Sequence, residues 1–425
     1  MSLFAFSRGE HWRATLAVLA NRNFVPLWFS GGLVALGGAM LNIALMKLIF
    51  DQTGSAGGVG LLVFTNIFSM VLVTPISGVL ADRLDRKKLL VGLGVLRTLL
   101  VLLFLRAYSP LAIYAINLCL GVVETLNFPV RAAVVPDVIE REQLLDANAL
   151  DKSLATLVMV VGPLLGGFMV DFVSTDSVFI LNGVLFIVAA LGLLFVRVPP
   201  PSLLSGEASF RAVYEEFIEG AHYARVNPVV SAMIMIYFLF LAGMGLKLSL
   251  DMVFAEQVLS SGSLSTARAY SYMMSAASIG MFIGSLLVSY LGRRFPKKGL
   301  LLGGLAVRSL DALVLALTRS LPVALAVRFV HGIGGGLSEA LWPTLLQENV
   351  EESKRGRAFS LFIGVVTIPP AITVYLGGWL ADQTSIQLVY GLAGALALLT
   401  AIGSRFLPGY KAMHTWGDDK IDDHV

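Results

Sequence analysis

The stretch Gly78-Val79-Leu80-Ala81-Asp82-Arg83-Leu84-Asp85-Arg86-Lys87-Lys88 decides how this chain folds. An apolar run over residues 71–81 leads into it, and a second apolar run over residues 89–105 follows it. Six of the seven residues from 82 to 88 are charged, and four of them are Arg or Lys. A charged turn this short between two long apolar runs predicts a tight connection between two membrane-spanning helices. Its basic residues place it on the cytoplasmic side, because loops that stay inside are enriched in Arg and Lys.

The composition indicates a membrane protein along the whole chain. The 425 residues are 56% hydrophobic and only 14% charged, and the mean hydropathy is +0.81. A soluble domain carries about 25% charged residues. The net charge of +3 comes from basic residues in short loops, so it does not indicate a nucleic-acid partner. The single Cys119 lies in an apolar run, so we expect no disulfide framework.

Twelve apolar segments are long enough to cross a bilayer, since a span needs about 20 apolar residues. Their approximate limits are 24–50, 57–81, 88–107, 110–134, 147–171, 177–197, 228–255, 267–292, 298–318, 321–346, 356–380 and 386–407. The loops that follow every second span carry most of the Arg and Lys residues. This asymmetry predicts a multi-pass protein with both termini in the cytoplasm, which requires an even number of spans.

The chain divides into five segments. An N-terminal segment (1–23) precedes the first half of six spans (24–197), a linker (198–227) joins it to the second half (228–407), and a tail (408–425) follows. The N-terminal segment mixes basic residues with Phe and Trp, which predicts a helix on the cytoplasmic membrane surface. In the linker, apolar residues recur at helical spacing from Phe210 onward, which predicts an amphipathic helix. The tail is expected to be cytoplasmic.

The two halves carry matching sequence elements. Gly166-Gly167-Phe-Met-Val-Asp171 returns 211 residues later as Gly377-Gly378-Trp-Leu-Ala-Asp382. Gly121-Val-Val-Glu124 returns as Gly336-Leu-Ser-Glu339, and a proline follows each copy. The repeat predicts an all-α polytopic membrane protein built from two pseudo-symmetric six-helix halves.

The charged turn resembles the signature that the major facilitator superfamily carries between its second and third helices. The matching residues are Gly78, Asp82, Arg83 and Arg86. The match departs at Asp85, where family members usually have Gly. The resemblance implies the major facilitator fold with 12 transmembrane helices, and a substrate path between the halves near the midplane. It also implies a cytoplasmic gate in which Asp82 caps a helix or pairs with an Arg, and Arg131 is the expected partner.

Three further motifs resemble the branch of this superfamily that contains macrolide-efflux proteins and enterobactin exporters. They are Phe50-Asp51-Gln-Thr53-Gly54-Ser55, the run from Asn127 to Leu150, and Val161-Gly162-Pro163-Leu-Leu-Gly166-Gly167. The last motif is similar to the fifth-span signature of proton-coupled drug antiporters. The alternative is that Gly162, Pro163, Gly166 and Gly167 only let helices pack closely. The branch implies the bacterial cytoplasmic (inner) membrane.

Ionisable residues inside spans are costly and usually face a cavity, so they are the candidate functional residues. Glu124 and Glu339 stand at matching positions in spans 4 and 10, which line the central path in this superfamily. Two roles remain open: each carries the coupled proton, as a desolvated carboxyl can, or each forms an ion pair at an inner gate. In span 10, Arg328 is expected to attract an anion or to hold a carboxylate. His331 is expected either to relay protons or to pack with a hydrogen bond.

A second group of charges predicts an outer gate. Lys47 in span 1 and Asp251 in span 7 stand at equivalent positions of the two halves. Either these two residues pair, or Lys247 pairs with Asp251 one helical turn away. Arg97 lies in span 3, and Arg308 and Asp311 lie in span 9; both spans are peripheral in the resembled fold. We therefore leave these three residues out of the site, and we expect Arg308 and Asp311 to pair with each other.

Several motifs of other protein classes do not occur in the sequence. There is no Gly-Lys-Ser/Thr phosphate loop, no His-Glu-x-x-His and no Gly-x-Ser-x-Gly. We therefore expect no ATP-driven step, no metal, no other cofactor and no enzymatic activity, so that an ion gradient must supply the energy. The resemblance implies a monomeric, proton-coupled antiporter that exports a small amphipathic organic compound across the lipid bilayer by alternating access. A siderophore exporter, a lysophospholipid flippase and a transport-dead receptor or scaffold remain alternatives.

Overall fold

The structure, a computed structural model, describes residues 18–140, 143–198, 210–260 and 264–413. Within helices, the side chains of residues 75–76, 78–79, 81–83, 210–217 and 353 are not described. The predicted surface helix over 1–23 and the predicted tail over 408–425 lie mostly outside the described ranges.

Twelve helices of the described chain are long and apolar enough to cross a membrane, which confirms the predicted all-α class and the number of spans. They are α1 (Phe24–Thr53), α2 (Ala56–Arg83), α3 (Arg86–Leu103), α4 (Pro110–Val138), α5 (Leu144–Phe172), α6 (Thr175–Leu194), α7 (Pro228–Leu248), α8 (Thr266–Leu291), α9 (Lys297–Leu317), α10 (Leu321–Asn349), α11 (Arg355–Gln383) and α12 (Ile386–Gly403). The linker contains a further helix, Phe210–Val226, where the sequence predicts one.

Many of the spans begin at a polar side chain that satisfies the free amides of the first turn. Such capping residues replace hydrogen bonds that the helix cannot supply at its own N-terminus. The serines accept a hydrogen bond from the amide three residues later, and Asn227 accepts from two amides of α7. The caps of this kind are Ser109, Ser174, Asn227, Ser265 and Ser385. Short polar residues between apolar runs thus fix where these spans start.

Two spans are interrupted. The helix of α7 ends at Leu248, and the chain continues as a short helix, Leu250–Phe254, and a π-helical turn, Ala255–Leu259. The span α11 breaks at Thr367, two residues before the pair Pro369-Pro370. Proline has no amide hydrogen and clashes with the preceding turn, so this pair accounts for the break. The predicted span over 228–255 therefore does not continue as one regular helix, which matters for the charges near its end.

Glycines bring the backbones of α8 and α10 into direct contact. A Cβ atom on Gly280 would lie 1.9 Å from the carbonyl oxygen of Phe329, and one on Gly332 would lie 2.0 Å from that of Ala277. Gly284 and Gly336 extend the same seam, with backbone atoms 2.2 Å from each added Cβ. Small residues at helix interfaces allow this close approach inside membranes. The seam holds α10, which carries several of the candidate site residues, at a fixed place.

The described chain forms two compact units. The smaller unit takes the residues up to Leu45 together with Leu72–Phe210, and the larger unit takes Met46–Val71 together with the residues from Arg211 onward. The first part of α2 thus groups with the larger unit. There the carboxylate of Asp382, at the end of α11, accepts hydrogen bonds from Ser55 Oγ (2.5 Å), Ala56 N (2.7 Å) and Gly57 N (2.8 Å).

Candidate functional site

In the smaller unit, Glu124 pairs with an arginine of the neighbouring span. Glu124 lies in the middle of α4, and its carboxylate accepts a hydrogen bond from Arg97 of α3. The Arg97 side chain is buried, and its guanidinium lies 4.4 Å from the ring centroid of Phe186, a cation–π contact. The Glu124 side chain is 34% exposed, so one side of this ion pair is open to its surroundings.

In the larger unit, Glu339 has the same kind of partner. The guanidinium of Arg308 lies 3.5 Å from the Glu339 carboxylate and 5.0 Å from the ring centroid of Phe240. It also donates a hydrogen bond to Ser338 Oγ (3.2 Å). The predicted pair between Arg308 and Asp311 is wrong, because both side chains point to α10 or α7 instead of to each other. Each half thus presents a glutamate of its fourth span to an arginine of its third span.

An aromatic group surrounds Glu339. Trp342 Nε1 donates a hydrogen bond to the Glu339 carboxylate (3.3 Å), and the Trp342 ring stacks on Phe362 at 4.5 Å between centroids. Tyr237 and Phe359 contact the same pair of rings, at 5.3 Å from Phe362 and 5.6 Å from Trp342. The Glu339 side chain is 46% exposed. A half-exposed carboxylate beside stacked rings combines a charged group with an apolar surface.

A second set of ionisable side chains in the larger unit is buried except for a partly exposed histidine, and we call it the buried cluster. Its members come from α7 and the short helix after it, α9, α10 and α12. They are Lys247, Asp251, Asp311, Arg328, His331 and Tyr390. Ionisable groups in such a place are costly unless they are paired, which marks the cluster as a functional candidate.

One oxygen of Asp311 gathers most of the contacts in this cluster. Asp311 Oδ2 accepts a hydrogen bond from Lys247 Nζ (2.6 Å) and lies 3.5 Å from Arg328 Nη1. His331 Nδ1 lies 3.3 Å from the same oxygen. The other oxygen, Asp311 Oδ1, is buried and has no hydrogen-bond partner among the described residues. A buried acceptor without a partner calls for a water molecule, an ion or a proton at that atom.

Asp251 forms the other end of the cluster. Its Oδ1 atom accepts hydrogen bonds from Arg328 of α10 and from the hydroxyl of Tyr390 of α12. Both predicted outer-gate pairs are therefore wrong in the described chain, since Lys247 binds Asp311 and Lys47 binds Asp51 in its own helix.

The predicted cytoplasmic gate is described only in part. The side chains of Gly78, Asp82 and Arg83 lie outside the described residues, so the predicted role of Asp82 stays a prediction. Arg86 donates hydrogen bonds to the Asp137 carboxylate (2.5 Å) and to the carbonyl oxygen of residue 133 (3.3 Å). These contacts join the charged turn to the end of α4.

Arg131, the expected partner of Asp82, binds Asp151 of α5 at 2.5 Å. Its guanidinium occupies the place of a side chain at Gly31, since a Cβ there would lie 1.2 Å from Arg131 Nη1. A cavity of about 20 Å³ lies beside Arg131, between α1, α3, α4 and α6. That volume suits a water molecule and is too small for an organic substrate.

Asp85, where the family signature has Gly, starts α3. Its φ of −59° is ordinary for any residue, so the turn needs no glycine here. The Asp85 carboxylate accepts a hydrogen bond from the amide of Lys88 at 3.0 Å. This bond lowers the pKa of the Asp85 carboxyl below its ordinary value.

The span-5 motif packs against α1. A Cβ on Gly162 would lie 2.6 Å from the Ala39 side chain, and one on Gly166 would lie 2.9 Å from the Met40 backbone. Pro163 and Gly167 are buried in the same helix. The geometry is that of close helix packing, and the antiporter role of the motif stays a prediction.

Three residues of these constellations are missing from the set predicted by sequence. The resemblance excludes Arg97, Arg308 and Asp311 from the site, because spans 3 and 9 are peripheral in the resembled fold. In the structure, however, Arg97 and Asp311 are buried and ion-paired. The signal that identifies them was present, since each is an ionisable residue within a span.

Comparison with known proteins agrees with this architecture. The family model described as transmembrane secretion effector, a branch of the major facilitator superfamily, matches residues 13–419. The chain belongs to this family. It is a transporter and not an enzyme, as the sequence predicted.

Similar transporters match most of the chain. Macrolide efflux protein A of Streptococcus pyogenes is 23% identical over 393 residues, covering 89% of this transporter and 94% of that protein. The multidrug efflux pump Tap of Mycolicibacterium fortuitum is 21% identical over 382 residues, covering 88% and 92%.

Solved structures share the fold at low sequence identity. The nucleoside transporter NupG has a TM-score of 0.73 at 13% identity, covering 90% of this chain and 98% of NupG. A D-xylose-proton symporter has a TM-score of 0.67 at 14% identity, covering 91% and 98%. These likenesses confirm the predicted major facilitator fold.

Proposed function

We propose that this transporter is a proton-coupled exporter of amphipathic organic compounds, which it moves outward across the bacterial inner membrane by alternating access. The relatives that give the direction are named for efflux of macrolides and of several drugs. The proton gradient is the proposed energy source.

The observation that carries the proposal is the pair of half-exposed glutamates inside α4 and α10. Glu124 is 34% exposed and Glu339 is 46% exposed, and each is bound by the arginine of the preceding span. A carboxylate that is accessible inside a span can exchange a proton or bind a cation directly from the cavity that it faces. Each half carries one such glutamate–arginine pair, which suits an alternating-access mechanism with two equivalent halves.

The surroundings of Glu339 support an amphipathic substrate. Trp342 and Phe359 present ring surface beside the carboxylate, and Arg308 lies on its other side. Aromatic rings bind apolar groups and also attract cations over their faces. A compound with a large apolar body and an amine would use both features. When a proton neutralises Glu339, the attraction for such an amine is lost, which provides competition between proton and substrate.

The experiment uses the purified full chain in liposomes with an imposed pH gradient. The probes are a labelled macrolide (erythromycin), a labelled catecholate siderophore and a fluorescent lysophospholipid, each offered to the side that becomes alkaline. We expect the macrolide to accumulate above its equilibrium level only while the gradient lasts, and an ionophore that collapses the gradient to abolish accumulation. Movement of the lysophospholipid or the siderophore instead would contradict the proposed substrate, and accumulation that ignores the gradient would contradict proton coupling.

A further inference from the structure

The buried cluster is distinct from the exposed Glu339 pair, although both lie between α9 and α10. Arg308 and Asp311 are separated by less than one turn of α9, and they bind different partners. Four full charges and a histidine meet in the cluster, inside a span region that offers no bulk water to the paired groups. Replacement of buried ion pairs by well-packed apolar residues is often neutral or stabilising, so stability alone does not account for this cluster.

The charges of the cluster balance when both aspartates are ionised. Lys247 and Arg328 supply two positive charges, and Asp251 and Asp311 supply two negative charges. The titratable or charged groups around Asp311 are Lys247 and Asp251 from α7 and its continuation, Arg328 and His331 from α10, Tyr390 from α12, and Arg308 on α9 itself. Adding one proton to the cluster therefore leaves one positive charge in excess, so that Lys247 and Arg328 share the one remaining carboxylate, Asp251.

The contacts of Asp311 show where that proton fits. All of its cationic neighbours converge on Oδ2, while Oδ1 is buried without a partner among the described residues. His331 is the most exposed member, with 17% of its side chain accessible against 0% for Asp311. A histidine can pass a proton at physiological pH. The route to the Asp311 carboxyl group therefore runs through His331, whose Nδ1 atom lies 3.3 Å from Asp311 Oδ2.

We propose that Asp311 is a proton-binding carboxyl of this transporter, and that its protonation transfers Lys247 from Asp311 to Asp251. The proton arrives on the His331 imidazole and passes across the 3.3 Å contact between His331 Nδ1 and Asp311 Oδ2 to the Asp311 carboxylate, which becomes a neutral carboxylic acid. Lys247 then keeps its charge but loses its partner on α9. The remaining carboxylate of the cluster is Asp251, four residues further along the chain. The ammonium thus shifts from a bond between α7 and α9 to a bond close to its own helix.

The consequence is a switch between two pairings of one lysine. In the unprotonated cluster, Lys247 ties α7 to α9, and in the protonated cluster it does not. A discrete change of this kind is what lets a proton bias a conformational equilibrium. The proposal rests on the proposed proton-coupled export, because it assigns a place for the coupled proton that is additional to the exposed glutamates.

The main test is the double variant Lys247→Met with Asp311→Asn, which keeps the cluster neutral because Arg328 and Asp251 still balance. In liposomes we expect it to exchange labelled erythromycin at equal pH but to lose accumulation above equilibrium in a pH gradient. The matched control is Lys297→Gln with Glu348→Gln, which removes an ion pair that lies outside the cluster. The control should accumulate the macrolide like the unmodified protein.

An infrared measurement tests proton binding without transport. Difference spectra between acidic and alkaline samples should show a carboxylic-acid band that is lost in the double variant. In Asp311→Glu, which keeps the carboxyl group, the band should be shifted. The proposal is overturned if the double variant still accumulates erythromycin, if it folds but has lost exchange at equal pH, or if the band is unchanged in Asp311→Glu. A wild-type protein that ignores the gradient contradicts the proposed function, and the infrared result then still decides whether Asp311 binds a proton.

Discussion

The carboxylate of Asp382 caps the first turn of α2, and removal of this carboxylate should destabilise that turn. It accepts hydrogen bonds from Ser55 Oγ, Ala56 N and Gly57 N, at 2.5, 2.7 and 2.8 Å. The two amides belong to the start of a helix and have no partner within it. We expect Asp382→Ala to loosen this end of α2 and to favour its separation from α11.

The magnitude follows from the contacts. Removing a side-chain cap from a helix costs about 1 kcal/mol, and removing a negative charge from a helix N-terminus costs about 0.3–1 kcal/mol. Asp382 is exposed, so solvent weakens both contributions and the sum is about 1.5 kcal/mol. Since 1.4 kcal/mol corresponds to a factor of ten, the amides of Ala56 and Gly57 should exchange with solvent about tenfold faster.

Hydrogen exchange followed by mass spectrometry on the segment 53–60 measures this change directly. Asp382→Asn keeps one acceptor oxygen and should have a smaller effect. Asp176→Asn removes another exposed carboxylate near the start of a different span and should leave the segment unchanged. Equal exchange rates in Asp382→Ala and the unmodified protein would refute the capping role.

Two further predictions concern glycines. Gly332→Ala should lower the free energy of unfolding by about 2–3 kcal/mol, because its Cβ would lie 2.0 Å from the carbonyl oxygen of Ala277. Gly335→Ala is the control, since a Cβ there meets no atom within 4 Å, and it should be neutral or stabilising. If thermal unfolding in detergent shows Gly335→Ala to be the less stable variant, the close packing of α8 on α10 is contradicted. Gly31→Ala should displace the Arg131 guanidinium and destabilise the fold by about 1–3 kcal/mol, and an unchanged melting temperature would show that the guanidinium does not need this space.

The architecture of the transporter is readable from its sequence because membrane spans are set by length and apolarity. Twelve apolar runs and the charged turn after residue 81 predict the number of helices, and the structure has twelve such helices in its described part. Neither signal depends on how the helices pack. The break in α11 before Pro369 and Pro370 likewise follows from the local chemistry of proline.

The partners of the buried charges were not predictable in the same way. Arg308 and Asp311 satisfy the spacing of a helical ion pair, but their side chains choose partners on other spans. Lys247 likewise prefers Asp311 to the carboxylate four residues away. Ion pairs within one helix are worth only about 0.2–0.5 kcal/mol, so tertiary packing decides between competing partners. Sequence spacing gives the candidates, and only the arrangement of α7, α9 and α10 selects among them.

Gradient-driven export in variants of the two exposed glutamates tests the central proposal most directly. The protein is reconstituted with Glu124→Gln, Glu339→Gln or both, since Gln keeps the shape of the side chain but cannot titrate. We predict that at least the double variant loses erythromycin accumulation above equilibrium in a pH gradient, while exchange at equal pH continues. If both single variants and the double variant still concentrate erythromycin when the gradient is imposed, the two glutamates are not the groups that couple protons to export.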